Sequence, residues 1–388
     1  MIVHVTGLGI ISSIGHDVPS TLRALIEGRT GLKFDENIEL NLGKVEYSNE
    51  QLAKQLNLPL NDYSRTSLLS LWAAREALGE QHFEANERSG LISATSVGGM
   101  DRLEEYFWEG MDSGQENTAH KLIFENGYTT EVIAKHLGIS GFVDTISTAC
   151  SSGVNAIIQG YRMIQAGKLD RVLVGGCDPL AVFDVKGFHS LGVYDKELCR
   201  PFDASRNGLN LGEGAAFLVL ENDKSREKSG SRVLARVSGW GNATDAYHQT
   251  ASSPDGIGAT MAMRQALNMA GSQPQDIDYI NAHGTGTPNN DASESQAFLN
   301  VFGDKVPPFS STKGHTGHTL AAAGALEAVF SVLSITEQKV WPNLHFNAPI
   351  EETGLGPVLV SEDRNVNHVL SNSFGFGGNC SSILFSAP

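Results

Sequence analysis

Residues 144–176, DTISTACSSGVNAIIQGYRMIQAGKLDRVLVGG, contain the two patterns that decide the fold class. From Val154 to Tyr161, apolar residues recur at i, i+3, i+4 and i+7, the spacing of an amphipathic helix. The run RVLVGG (171–176) is short, apolar and ended by glycines, which is typical of a strand. A helix followed by a strand predicts an α/β protein.

The same alternation continues outward from this stretch. Helical spacing of apolar residues recurs from Met263 to Ala270 and from Leu326 to Leu333. The runs AAFLVLE (215–221) and PVLVSE (357–362) are predicted strands. Helices and strands therefore alternate along most of the chain.

A boundary between two parts of the chain is predicted near residue 230. The stretch NDKSREKSGS (222–231) is charged, rich in serine, and lies between two strand-like runs. We therefore divide the chain into 1–230 and 231–388, each of which carries a loop of small residues next to a candidate catalytic side chain. A structural repeat of the two halves is plausible, although their sequences are too dissimilar to prove it.

Composition excludes several classes of function. The chain has 388 residues, of which 40% are hydrophobic and 19% charged, an ordinary globular balance. Its net charge of −16 argues against nucleic acid and anionic membranes as partners. The N-terminus lacks a secretory leader and no 18 apolar residues run uninterrupted, so we expect a cytoplasmic protein. The four cysteines lack metal-ligand spacing and are predicted to be free thiols.

Cys150 is the candidate nucleophile. It lies among small residues just before a helix predicted to begin near Ser152. The positive end of that helix is expected to lower the pKa of the thiol and favour the thiolate. The alternative is a small buried core cysteine, the interpretation we give to Cys177, Cys199 and Cys380.

His283 and His318 are candidate hydrogen-bond donors or proton carriers. His283, in YINAHGTGTPNND, ends an apparent strand before a glycine-rich turn, and His318, in SSTKGHTGHTLAAAGALEA, precedes a helix of small residues. Either histidine taken alone could be purely structural. Lys313, five residues before His318, favours a catalytic interpretation.

The C-terminal motif NSFGFGGNCSS places Phe374 and Phe376 between glycines. Such a loop can offer a backbone N–H to an oxyanion and gate a tunnel. Its alternative is a turn with two core aromatics. Two other motifs are rejected: GLGIISSIG (7–15) lacks the third glycine of a dinucleotide site, and HTGH (315–318) lacks partner ligands for a metal.

Together these segments resemble the elongating β-ketoacyl-acyl-carrier-protein synthases, which are thiolase-like condensing enzymes. The resemblance covers essentially the whole chain and rests on five ordered motifs. These are VTGLGIISSIG (5–15), RPFDASRNGLNLGEGAAFLVLE (200–221), AHGTGTPNND (282–291), STKGHTGH (311–318) and NSFGFGG (372–378). The pair His283 and His318 points to the Cys-His-His class.

The resemblance implies a five-layered αβαβα fold of two pseudo-repeated halves, and an acyltransferase that elongates fatty acids by decarboxylative condensation. Cys150 would be the nucleophile, His283 and His318 the catalytic histidines, and Lys313 a supporting charge. The backbone N–H groups of Cys150 and Phe376 would form an oxyanion hole. Acyl carrier protein would be the partner, a homodimer the usual assembly, and no cofactor is expected.

The resemblance also implies further site residues. Phe188, Thr285, Thr287, Phe374 and Phe376 would line the substrate pocket. Val97 would reach that pocket from a dimer interface and influence chain length. Some members hold a structural monovalent cation where this chain has Asn281, Glu327, Ser371 and Asn372.

Some positions depart from the family pattern and keep other functions open. Near the pocket mouth, NDYSRTSLLS (61–70) offers only Arg65, and Gly192 stands where an arginine is frequent. This thin basic cluster favours a specialised polyketide or polyene ketosynthase, paired with a chain-length partner. A non-catalytic chain-length subunit and a papain-like hydrolase are further alternatives.

Overall fold

A computed structural model describes residues 1–59, 63–83, 87–113, 123 and 125–388. Their strands are β1 His4–Ser12, β2 Leu32–Asp35, β3 Leu40–Gly43, β4 Ser89–Ala94, β5 Phe142–Ile146, β6 Arg171–Asp178, β7 Gly214–Glu221, β8 Ala235–Thr244, β9 Tyr279–Asn281, β10 Phe309–Ser310, β11 Lys339–Val340, β12 Glu362–Asp363, β13 His368–Gly375 and β14 Asn379–Ser386. Their α-helices are α1 Val18–Glu27, α2 Asn49–Gln55, α3 Arg65–Leu78, α4 Met100–Ser113, α5 Asn126–Leu137, α6 Ser152–Gln165, α7 Val182–Ser190, α8 Asp223–Ser229, α9 Ile257–Ala270, α10 Pro288–Phe302, α11 Lys313–Thr316 and α12 Ala323–Glu337. Short 3₁₀ helices span Pro274–Asp276 and Leu320–Ala322.

The main sheet has two halves with the same topology. Its strand order is β10-β9-β13-β14-β8-β1-β7-β6-β4-β5, and β1 and β8 join the halves through the pairs His4 with Arg236 and Val5 with Ala235. Numbered along the chain within a half, both halves have the order 1-5-4-2-3, antiparallel between the first three strands and parallel between the last three. This duplication confirms the expected pseudo-repeat, whereas the division at residue 230 stays a prediction.

Helices cover both faces of each half-sheet. Between the halves lie α6, packed on β6 and β4, and α12, packed on β13 and β7. On the outside, α3 and α5 cover the first half, and α9 and α10 cover the second. The layers are therefore helix, sheet, helix, sheet, helix, which confirms the predicted five-layered architecture.

Most of the predicted elements are present. The apolar spacings coincide with α6, α9 and α12, and RVLVGG and AAFLVLE form β6 and β7. The predicted boundary stretch holds α8, whose first turn is capped by the Asn222 side chain.

The predicted strand over 357–362 is wrong. The N–H of Val358 donates to the carbonyl oxygen of Phe309, and its own carbonyl oxygen accepts the N–H of Asn343. The next residues, Leu359 and Val360, are 54% and 65% exposed. Only Glu362, at its end, enters a strand, the two-residue β12. A strand needs a hydrogen-bonding partner along its length, and apolar composition does not supply one.

Within the described part of the chain, one apolar helical segment is long enough to cross a membrane by length and composition. Leu320–Glu337 spans 18 residues with a mean hydropathy of 1.5, and 89% of it is buried inside the protein. This segment contains α12, the helix between the two half-sheets. Its burial explains its composition as that of a core helix.

Arg65 is committed to a buried ion pair. Its guanidinium donates to both carboxylate oxygens of Glu213, each at 2.7 Å, and also to the carbonyl groups of Tyr47 and Val45. The Arg65 and Glu213 side chains are 15% and 3% exposed. The sequence indicated Arg65 as the basic residue of a docking patch, but its charge is paired with Glu213 inside the protein.

We predict that Glu213→Ala destabilises the protein by about 3–5 kcal/mol, because it leaves the Arg65 charge buried without its partner. Equilibrium urea unfolding measures this loss. The control is Glu46→Ala, which removes an ion pair to Lys33 whose side chains are 76% and 71% exposed and should cost less than about 1 kcal/mol. Equal losses in the two variants would contradict the prediction.

Candidate active site

A cavity of about 290 Å³ brings together residues from both halves. Cys150 comes from the first half, and His283, His318 and Phe376 come from the second. Four other residues of the expected pocket also line it: Phe188, Thr285, Thr287 and Phe374.

A tight turn before α6 presents Cys150 to this cavity. Ala149, directly before it, has a φ of 52°, a conformation that non-glycine residues seldom adopt. The Ser152 hydroxyl accepts from the Thr148 N–H at 2.7 Å and so closes the turn. Cys150 is 5% exposed, with its sulfur at the start of the helix.

The resting state of Cys150 differs from the sequence prediction. Burial raises the pKa of the thiol to about 11, although Lys313 and the backbone N–H of Phe376 both favour the thiolate. Loss of hydration penalises the anion more than these neighbours stabilise it. The predicted lowering of the pKa is therefore wrong, and Cys150 rests as a thiol.

This pKa predicts a pH dependence. Only the thiolate is alkylated, so the rate of Cys150 alkylation by iodoacetamide should rise about tenfold per pH unit from about pH 7 to pH 10. Mass spectrometry of the Cys150 peptide measures the rate, with a model thiol peptide as the reference that levels off earlier. A plateau of the Cys150 rate below about pH 8 would contradict the prediction.

His283 is held at the end of β9 by two charged side chains. The buried Glu294 carboxylate accepts the backbone N–H groups of His283 and Gly284, at 2.9 and 2.8 Å. The Lys313 ammonium donates to the His283 carbonyl oxygen and lies 3.3 Å from its Nδ1. Because lysine can only donate, Nδ1 is the acceptor and the ring proton is on Nε2.

His318 has the same tautomer for a different reason. Its Nδ1 accepts the backbone N–H of Leu320 at 3.2 Å, so the proton of a neutral ring is again on Nε2. The backbone of His318 is fixed by hydrogen bonds with Asn210 and Gly212. The rings of His283 and His318 are 5.4 Å apart and nearly perpendicular.

Both imidazoles are neutral at ordinary pH. Burial lowers the pKa of His283 well below its usual value, and Lys313 and His318 lower it further. Burial and Lys313 likewise lower the pKa of His318 well below its usual value. The cavity therefore contains a thiol and two neutral rings whose Nε2–H groups can donate hydrogen bonds.

The loop Gly375–Gly378 lies beside the nucleophile. The N–H of Phe376 is near enough to the Cys150 sulfur to favour its thiolate, and the Phe376 ring stacks on Phe188 with centroids 5.8 Å apart. A Cβ on Gly375 would lie 2.8 Å from the Thr148 carbonyl oxygen, so only glycine permits this approach. In this arrangement the backbone N–H groups of Cys150 and Phe376 can both donate to the carbonyl oxygen of an acyl group bound to the Cys150 sulfur.

Lys313 and Val97 lie outside the cavity lining. Lys313 is 2% exposed and forms a buried ion pair with Glu327. Its ammonium approaches the His283 ring on the Nδ1 side. Val97 is half-buried next to Asp178, at the loop before α4. Its expected contribution from a dimer interface stays a prediction.

The expected cation residues lie on two faces of the sheet. Asn281 and Ser371 pair in register, and their buried polar side-chain atoms have no hydrogen-bond partner in the described part of the chain. The Glu327 carboxylate accepts a hydrogen bond at 3.4 Å from the hydroxyl of Ser373, which lies on the same face of the sheet as Ser371. The Asn372 side chain points to the opposite face because strand residues alternate. No group of three or more His, Cys, Asp or Glu residues suited to a metal occurs among the described residues.

The other cysteines are buried free thiols. Cys177 and Cys199 lie outside the cavity, whereas Cys380 is a core residue that also reaches its wall. The two ring nitrogens of His315, the first histidine of HTGH, lie 2.8 and 2.9 Å from the carbonyl oxygens of Arg29 and Pro342, and the one N–H of the neutral ring is donated to one of them.

Sequence reasoning missed several residues of the site. Glu294 holds His283, Asp178 accepts hydrogen bonds from Thr95 and the N–H of Ala321, and His248 lines the cavity. None of them stands in a glycine-rich motif next to a nucleophile. Glu294 lies three residues after AHGTGTPNND on α10, which begins inside that motif at Pro288, and only the fold shows that its carboxylate reaches the backbone of His283.

Family models match both parts of the chain. The model for the beta-ketoacyl synthase N-terminal domain matches residues 2–226, and the model for its C-terminal domain matches residues 234–347. A relative that is 34% identical over 407 residues is 3-oxoacyl-[acyl-carrier-protein] synthase 2 of Staphylococcus aureus (strain COL), with 99% of this chain and 97% of that protein covered. The enzyme of the same name from Vibrio cholerae serotype O1 is 32% identical over 415 residues, with 99% and 98% covered.

Solved structures with the same architecture include ketosynthases with partner subunits. The ishigamide ketosynthase/chain length factor has a TM-score of 0.93 and 31% identity, covering 100% of this chain and 99% of that one. The ketosynthase ApeO in complex with its chain length factor ApeC, from Xenorhabdus doucetiae, has a TM-score of 0.85 and 31% identity, with 100% and 98% covered.

Proposed function

This chain belongs to the β-ketoacyl synthase family, and we propose that it elongates fatty acids by condensing malonyl-acyl carrier protein with an acyl chain held on Cys150. It is a condensing enzyme of the acyltransferase type. One observation carries the assignment of roles: a single cavity holds Cys150, the rings of His283 and His318, and Phe376, whose N–H favours the thiolate form of Cys150.

The first step is acyl transfer to Cys150. The sulfur attacks the thioester carbonyl of acyl-acyl carrier protein, forming a new C–S bond while the old one breaks. The proton of the Cys150 thiol goes to the departing carrier thiol, so the charge balances. The N–H groups of Cys150 and Phe376 stabilise the oxyanion of the tetrahedral intermediate.

The second step forms the carbon–carbon bond. Malonyl-acyl carrier protein loses CO₂, and the resulting enolate oxygen receives hydrogen bonds from the Nε2–H groups of His283 and His318. The enolate carbon attacks the acyl-Cys150 carbonyl, the C–S bond breaks, and the sulfur regains a proton from solvent. The Nε2–H tautomers make both rings donors, which supports this role over that of a general base.

Lys313 acts through His283. Its ammonium fixes the tautomer by donating toward Nδ1, and its ion pair with Glu327 holds it there. Thr285, Thr287, Phe188 and Phe374 would contact substrate. A structural monovalent cation would be held by oxygens of Asn281, Ser371 and Glu327, with the Asn372 side chain excluded by its direction.

We place the enzyme in the cytoplasm as a dimer that meets acyl carrier protein. Exposed apolar side chains of α4 and α7 support a dimer interface where these two helices lie. They are Phe107, Trp108, Met111, Val182 and Phe183. The burial of Leu320–Glu337 supports a location away from the membrane. We also propose that the first half comprises residues 1–230 and the second half residues 231–388.

The test is elongation by the purified protein. Incubated with malonyl-acyl carrier protein and saturated acyl-acyl carrier proteins of several lengths, it should release 3-oxoacyl products two carbons longer. Mass spectrometry of the carrier protein detects them. Absence of any longer product, with or without an added partner subunit, would contradict the proposed function.

A specialised polyketide or polyene ketosynthase is the second candidate. The TM-score of 0.93 to the ishigamide ketosynthase/chain length factor and the commitment of Arg65 to Glu213 favour it. Unsaturated acyl-acyl carrier proteins discriminate between the two candidates. Extension of unsaturated chains only, or only after a second subunit is added, would identify the specialised enzyme.

A further inference from the structure

The loop that carries the Phe376 N–H is held by backbone hydrogen bonds of Gly377 to Gln249 and of Gly378 to Asp245, but these do not join it to the turn that carries Cys150. Gly377 and Gly378 follow with φ values of 88° and 85°, in a region open to glycine. A backbone donor must be held within a fraction of an ångström to stabilise an oxyanion. The first side chain after the glycines that can anchor this loop is that of Asn379.

Asn379 belongs to a closed ring of three side-chain amides. Its Nδ2 donates to Oδ1 of Asn242 at 3.2 Å, Asn242 donates to Oδ1 of Asn155 at 2.9 Å, and Asn155 donates to Oδ1 of Asn379 at 2.9 Å. Each amide is both donor and acceptor, which makes such a cycle cooperative. The buried Ser381 hydroxyl closes one side by donating to Asn155 and accepting from Asn242.

The ring joins the oxyanion loop to the nucleophile turn. Asn155 lies in the first turns of α6, Asn242 in β8, and Asn379 begins β14 directly after the loop. The hydroxyl of Ser151, the neighbour of Cys150, is 2.7 Å from Oδ1 of Asn379. Asn155 also donates to the Thr148 hydroxyl at 2.8 Å, on the other side of the nucleophile.

We propose that Asn379, Asn155 and Asn242 are positioning residues that hold the Phe376 N–H in register with the Cys150 N–H, an inference that rests on the proposed function. The two donors come from different halves of the protein, and the amide ring is a direct polar link between their loops. Because amides do not titrate, the link should work equally at every pH of the assay.

This role predicts a selective effect. Acyl transfer from a thioester passes through an oxyanion and needs both N–H groups, whereas alkylation of the same sulfur by iodoacetamide forms no oxyanion and depends on the Phe376 N–H only through the thiolate that both reactions use. A residue that merely supports folding, or access to the sulfur, would change both reactions together. The ratio of the two rates therefore isolates the position of the Phe376 N–H.

The experiment compares these rates in Asn379→Ala and in the wild type. We expect kcat for acyl transfer from hexanoyl-acyl carrier protein to fall about 10- to 100-fold with KM nearly unchanged, because deleting an oxyanion donor costs about 10²–10³ and loosening it costs less. Alkylation of Cys150 should fall much less, because it loses only the stabilisation of the thiolate by the Phe376 N–H, an effect that slows acyl transfer equally and cancels in the ratio. The control is Asn300→Ala, which removes an amide that binds Asp255 and Thr260 outside the site and should change neither rate.

Asn379→Asp keeps the acceptor for Ser151 and Asn155 and should recover part of the loss. If Asn379→Ala does not fold, Asn379→Asp and Asn242→Ala decide by the same ratio. Acyl transfer as fast as in the wild type, or a parallel fall of transfer and alkylation, would overturn the proposal. Failure of the wild type itself to accept an acyl group would instead refute the proposed function.

Discussion

Replacing Cys150 with serine is expected to abolish acyl-enzyme formation while the protein stays folded. The hydroxyl is a much weaker nucleophile than sulfur at neutral pH, and neither His283 nor His318 has a free ring nitrogen to take its proton, because their Nδ1 atoms are occupied and their Nε2 atoms carry hydrogen. We expect the rate of acyl transfer to fall at least about 10³-fold, about 4 kcal/mol in the barrier.

The fold should tolerate this change because sulfur and oxygen differ little in size and the turn is held by backbone and Ser152 contacts. Intact mass after incubation with acyl-acyl carrier protein measures the adduct, and circular dichroism checks the fold. Cys177→Ala, a buried thiol away from the cavity, should still acylate on Cys150. An acyl adduct on the serine variant would refute Cys150 as the nucleophile.

His318→Ala is expected to accumulate acyl-enzyme without condensing it. Acyl transfer uses the backbone N–H groups beside Cys150, but the enolate loses one of its two Nε2–H donors. Loss of one such donor costs about 3–4 kcal/mol, a fall of about 10²–10³ in the condensation rate. Quench-flow with malonyl-acyl carrier protein, started from the preformed acyl-enzyme, measures that rate.

His315→Ala is the matched control within the same motif. His315 is as buried as His318, but its ring nitrogens face main-chain carbonyl oxygens and not the cavity, so its loss should reduce stability and leave condensation per folded molecule intact. Normal product formation by His318→Ala would remove His318 from the mechanism.

Elements with a strong local period could be predicted from the sequence. The spacing from Val154 to Tyr161 and the glycine-ended run 171–176 coincide with α6 and β6 because a one-sided helix and a buried strand must carry those patterns. The run 357–362 has strand composition too, but whether a neighbour is there to pair with it depends on the rest of the fold.

The properties of the site also divide into those that the sequence predicts and those that depend on the fold. Cys150 lies among small residues before a helix, and His283 and His318 lie in glycine-rich motifs that mark turns at the ends of elements, so sequence could single them out as candidates. The pKa of Cys150 could not be predicted correctly, because the burial that raises it comes from both halves together. The amide ring was invisible because Asn155, Asn242 and Asn379 are far apart in sequence and ordinary in composition.

The central claim is that one cavity first holds an acyl chain on Cys150 and then condenses it. The most direct test is the intact mass of the wild-type protein after incubation with acyl-acyl carrier protein, followed by addition of malonyl-acyl carrier protein. We predict one acyl group on the Cys150 peptide, which disappears on malonyl addition as 3-oxoacyl-acyl carrier protein is formed. An adduct elsewhere in the chain, or an acyl group on Cys150 that survives malonyl addition, would contradict it.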